Sequence, residues 1–225
     1  MLKIIFALIK KDITLLLFRG GSLIHAVMLG LLLVFVLSIS TPIGHKINPQ
    51  SVATIFWLVS VLCQNLVLSG LYALEDFANA REELLIIPTN TRAIWVSKAI
   101  SGLLLLMISQ IFILIAMVIL LGLNFGDGIM YGFCGILLAD IGISALGSLL
   151  GATLNTGLSR ESLLAILIFP LLIPIILAGI RIVAGIFGSQ DQATFEWLLI
   201  SMAYDLIFCG ASWIAFPYVF GGVRE

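Results

Sequence analysis

The chain has 225 residues, of which 61% are apolar and 10% charged, with a mean hydropathy of +1.23 and a net charge of −1. Ordinary soluble domains hold an apolar share of about 45–50%, and a water-facing exterior cannot be built from what remains here. The composition therefore excludes a soluble domain, indicates an integral membrane protein, and gives no reason to expect a nucleic-acid partner.

The first 19 residues predict a helix lying in the membrane interface. Lys3, Lys10, Lys11 and Thr14 recur at i, i+7, i+8 and i+11, a narrow cationic stripe on an otherwise apolar helix. Lys10, Lys11 and Asp12 interrupt the apolar stretch, and no small-residue cleavage site follows it, so a removable signal peptide is not expected. Gly20-Gly21 then lets the chain turn into the first span.

Six apolar runs follow, at 22–43, 52–74, 93–123, 129–154, 162–186 and 197–220. Each reaches the length of roughly 20 residues that a spanning helix needs. Helices are the expected form, because unpaired backbone groups are not tolerated in lipid. The connections GHKINPQS, NFGDG, NTGLSRE and GSQDQATFE are short and rich in turn formers. One all-α domain, 1–225, is expected. With the N-terminus inside, nine of the eleven basic residues are cytoplasmic: Lys3, Lys10, Lys11, Arg19, Arg81, Arg92, Lys98, Arg160 and Arg224. Lys46 is then outside, and both termini are cytoplasmic.

The second and third spans are separated by a charged block, EDFANAREELLIIPTNTR. Glu75, Asn79, Glu82 and Glu83 share one helical face, with Phe77, Ala80, Leu84 and Leu85 on or near the other. Pro88 stops this helix and Thr91 can cap the next. The spacing predicts a cytoplasmic amphipathic helix over 75–88. Anionic leaflets attract basic segments, so its acidity argues for a protein partner over lipid.

Three ionisable residues fall inside spans, where they are costly. Arg181 and Asp205 lie roughly 9 Å and roughly 12 Å from the outer ends of spans five and six at 1.5 Å per residue. Matching depths predict that they pair. Asp140 sits near mid-depth in span four without an evident partner. These residues are read as a structural pair and an acid at a subunit interface, with proton or substrate coupling as the alternative.

Gly147-x-x-x-Gly151, beside Ser144 and Ser148, predicts a close helix approach. Pro170 and Pro174 predict a kink in span five. Cys63, Cys134 and Cys209 form no CxxC or zinc spacing and read as small apolar residues. His25 and His45 lack any supporting motif for haem ligation and read as cap or surface residues.

Two stretches, LEDFANAREELLIIPTNTRAIWVSKAI and ISALGSLLGATLNTGLSRESLLAILIFPLLIPIILAG, together with the length, resemble the CcmB family, the haem exporter protein B of cytochrome c maturation. More broadly the arrangement is similar to permease subunits of ABC-2-type transporters. The resemblance implies an interfacial elbow helix (1–19), six spans and a coupling helix (75–88) in a bacterial inner membrane protein. It implies that Glu75, Asp76, Asn79, Arg81, Glu82, Glu83 and Pro88 dock a cytoplasmic ATPase subunit. It further implies a second permease copy and a haem-handling membrane subunit, so that ATP and haem are reached through partners and neither is bound directly. The absence of GxxxxGK[ST] fits a subunit that does not bind nucleotide. A proton-coupled secondary transporter is the rival reading, although no inverted repeat is visible. An intramembrane enzyme is disfavoured, since Ser148 lies in GSLLG, not in GxSxG, and HExxH is missing.

Overall fold

The computed structural model describes residues 2–17, 21–41, 47–77, 91–126, 128–153, 160–188 and 194–221. Apolar runs of this length satisfy their backbone groups internally, and the described residues accordingly form seven α-helices. They are α1 (Leu2–Leu15), α2 (Ser22–Ser40), α3 (Pro49–Phe77), α4 (Thr91–Leu121), α5 (Ile129–Thr153), α6 (Arg160–Ala184) and α7 (Thr194–Gly221). A 3-10 turn, Gly185–Phe187, extends α6. The six helices α2 to α7 are long and apolar enough to cross a membrane. Their bounds follow the hydropathy runs within a few residues. The clearest shift is α3, which begins at Pro49 because proline suits the first turn of a helix.

α2 begins directly after Gly21. Gly21 takes a left-handed conformation, φ 62°, which a side chain would resist. α1 is therefore a separate helix, packed against α4. Lys3, Lys10 and Thr14 are exposed on it, whereas Asp12 and Leu16 turn inward.

The most apolar windows of α3 and α5 are each 61% buried inside the bundle, against 22% for α2 and 17% for α7. α3 and α5 are thus its centre. The outer helices expose Leu32, Phe35, Leu206, Ile207 and Ile214, as a lipid-facing surface requires.

The expected close approach of Gly147 and Gly151 is made against α3. A Cβ at Gly147 would run into Leu68, and one at Gly151 into Tyr72. Overpacking of this kind costs about 1–3 kcal/mol, so Gly151→Leu is expected to lower the unfolding temperature in detergent, while Ala at exposed Leu206 leaves it nearly unchanged. α6 continues through Pro170 and Pro174 to Ala184. Beside them, the Tyr204 hydroxyl of α7 donates to the Leu171 carbonyl at 3.0 Å. The turn after α6 is joined to the α4–α5 connection by the Gly126 N–H, which donates to the Ile186 carbonyl at 2.7 Å.

Candidate functional site

α3 reaches Phe77, so Glu75 and Asp76 stand in its last turn, and α4 starts at Thr91. Asn79, Arg81, Glu82, Glu83 and Pro88, with most of the helix expected over 75–88, lie outside the described residues. The segment's two anchors, the end of α3 and the start of α4, are described, and they meet at a buried ammonium.

Lys98 lies seven residues into α4, two turns from Thr91, with its side chain 1% exposed. Its Nζ is 3.2 Å from Asp12 Oδ2 on α1, close enough for an ion pair though not aligned as a hydrogen bond. The same ammonium donates to the Leu71 carbonyl of α3 at 3.3 Å and lies 5.4 Å from the centroid of the Tyr72 ring. Tyr72 in turn donates its hydroxyl to the Ser148 carbonyl of α5 at 2.6 Å. Lys11 Nζ stands 3.3 Å from the other oxygen of Asp12. A charge removed from solvent needs this much compensation: an opposite charge, a carbonyl and an aromatic face. One side chain thereby ties α1, α3 and α4 together, and through Tyr72 it reaches α5.

The start of α4 is also fixed to α7. The Arg92 guanidinium lies 5.4 Å from the Trp213 ring centroid, and Trp95 meets Trp213 edge-to-face at 6.1 Å. The sequence marks Lys98 as a cytoplasmic charge and as part of the stretch that carries the family resemblance, and Asp12 as an interruption of an apolar run; it does not pair them. A usable signal was present, since Asp12 is the only acid in the first 74 residues.

Asp140 has a partner that the sequence reading missed. It is fully buried on α5, and Gln110 Nε2 of α4 donates to its Oδ1 at 2.8 Å. Asp140→Leu strands that buried amide and is expected to cost about 1–3 kcal/mol. Asp140→Asn keeps an acceptor in place, and equilibrium unfolding of the two variants should separate them in that order.

The expected pair between Arg181 and Asp205 does not form. Arg181 is exposed on α6, with its guanidinium 5.9 Å from the Trp197 ring centroid. Asp205 faces α5, where a Cβ on Gly142 would stand 2.5 Å from its Oδ1, and neither carboxylate oxygen has a hydrogen-bond partner. Equal depth sets the height of two residues along a bundle. It does not set the direction in which each side chain points, and here those directions differ.

His25 occupies the first turn of α2, where its Nδ1 is 2.9 Å from the Gly21 carbonyl. His45 lies outside the described residues. Cys63 is buried and its thiol donates to the Ala26 carbonyl at 3.1 Å, and all three cysteines are free.

Comparison with known proteins is consistent with this arrangement. The family model described as CcmB protein matches residues 3–214, nearly the whole chain. No curated protein and no solved structure gives a significant match.

Proposed function

The chain belongs to the CcmB family, and from that membership we propose that it is the non-catalytic permease subunit of an ABC complex acting in haem handling for cytochrome c maturation. In this reading the bundle sits in a bacterial inner membrane with both termini cytoplasmic. A cytoplasmic ATPase subunit docks on residues 75–88 through Glu75, Asp76, Asn79, Arg81, Glu82, Glu83 and Pro88. A second copy of the chain and a haem-handling membrane subunit complete the assembly, which places ATP and haem on partners.

The observation that supports coupling most strongly is the Lys98 node. A push on the 78–90 segment acts on the end of α3 and the start of α4. Lys98 bonds the Leu71 carbonyl on the first and belongs to the second. Its contacts with Asp12 and Tyr72 pass the displacement to α1 and α5, so the helices move as a unit. Packed interiors respond to such a push by shifting between discrete arrangements, not by bending continuously.

The geometry favours this over a proton relay through the intramembrane acids. Asp140 faces Gln110 on α4, while Asp205 meets α5 at Gly142. Asp140 and Gly142 are two positions apart, about 200° around the α5 axis, so α5 itself separates the two carboxyl groups. Asp140→Asn retaining full activity would agree with a structural role.

The test is a strain lacking this chain, assayed by the haem stain of covalently bound c-type cytochromes. Loss of c-type but not b-type haem proteins, restored by the wild-type chain and not by Glu82→Arg/Glu83→Arg, is the expected result. Unchanged c-type cytochromes in its absence would refute the proposal.

A further inference from the structure

Close to the Lys98 node, between α2 and α3, lies a cavity that the coupling account does not use. It spans about 520 Å³, part of it open to the surroundings, and is lined by Ser22, His25, Leu66, Ser69, Gly70 and Ala73. Two features of its polar wall belong together, and a third side chain stands at its edge. The Ser69 side chain is 4% exposed, yet its hydroxyl has no hydrogen-bond partner. A buried hydroxyl left this way costs free energy, so it calls for a ligand. Second, α2 starts at Ser22 behind Gly21, which brings no side chain to cap the first N–H groups of the helix. Such a helix start attracts phosphate through its aligned N–H groups and positive dipole end. Third, the His25 ring is held by the Gly21 carbonyl at Nδ1. A carbonyl only accepts, so Nδ1 carries the hydrogen; Nε2 is then an acceptor and holds no anion, and the ring offers its carbon face to a ligand.

What separates a lipid from a free anion is the surface beyond the cavity. His25, Met28 and Leu32 fall at i, i+3 and i+7, one stripe of α2, and Met28 and Leu32 are 57% and 58% exposed. The stripe leads from the polar wall toward the middle of the span. Leu66 and Ala73 supply the apolar side of the cavity itself. A polar pocket in the first turn of a spanning helix, continued by an apolar track, matches a molecule with a phosphate at one end and a hydrocarbon chain at the other.

We propose that this cavity binds the phosphodiester headgroup of a membrane phospholipid. The Ser69 hydroxyl and the start of α2 hold the phosphate, and an acyl chain lies along His25, Met28 and Leu32. The site rests on the membrane-spanning fold and not on the coupling reading.

The test uses the full chain purified in detergent, with bound lipid counted by native mass spectrometry in mixed micelles containing phosphatidylglycerol. Wild-type protein is expected to retain phospholipid. Ser69→Leu, which removes the hydroxyl and puts a bulkier apolar side chain in its place, should lower its affinity about tenfold or more, the loss associated with a hydrogen bond to a charged group. His25→Ala, at an exposed position that does not threaten folding, should also lower it. Thermal unfolding gives a second arm, with inorganic phosphate as the comparison ligand: stabilisation by phosphatidylglycerol but not by phosphate alone is expected. Lipid retention unchanged in both variants would overturn the site. Equal stabilisation by inorganic phosphate would overturn its assignment to a lipid.

Discussion

Lys98→Met is expected to destabilise the folded chain by up to about 3–5 kcal/mol, because removing one member of a buried ion pair leaves Asp12 with the partly exposed Lys11 as its counter-charge. Asp12 is 3% exposed and cannot be rescued by water, and Lys11 reaches it from a position that is itself 36% exposed. Asp12→Leu should cost a comparable amount, since it takes away the carboxylate 3.2 Å from the buried Lys98 ammonium. The double variant removes both charges and should recover much of the loss, because well-packed apolar residues often replace a buried pair without penalty. Thermal or denaturant unfolding of all four proteins forms a double-mutant cycle, and the two sites should couple strongly. Additive losses would mean that Asp12 and Lys98 do not act on one another.

This pair also marks the limit of what the sequence disclosed. The six spans were legible because hydropathy over some 20 residues is a local property, and Gly21 and the Gly147/Gly151 pair were legible because small residues have few other uses at such positions. Lys98 and Asp12 are 86 positions apart (98 − 12), on helices whose mutual rotation no periodicity records. Gln110 was missed beside Asp140 for a different reason: a neutral amide does not stand out in a search for charges, although its NH2 group donates to one oxygen of the buried carboxyl. The expected Arg181–Asp205 pair failed because depth was derived from helical rise alone, and Arg181 turned out to face outward. The acidic face over 75–88 rests on periodicity and on the family resemblance, with its two flanking helix ends now placed by α3 and α4.

The second large effect is expected at that acidic face. In the proposed docking, reversing charge at Glu82 and Glu83 would turn an attraction for the ATPase subunit into repulsion, and like charges facing one another across an interface cost several kcal/mol, roughly a hundredfold or more in affinity. Unfolding temperature is read beside docking, so that a variant with wild-type stability separates loss of docking from loss of the bundle. The Gly151→Leu variant supplies the opposite control, a weakened bundle with an intact acidic face.

The most direct measurement is therefore a quantitative pull-down of the ATPase subunit from membranes by the full chain, comparing wild type with Glu82→Arg/Glu83→Arg at equal expression and equal unfolding temperature. The coupling account predicts that the wild type brings down the ATPase in a fixed ratio and that the reversed variant brings down almost none. A reversed variant that retains the ATPase at the wild-type ratio would contradict it.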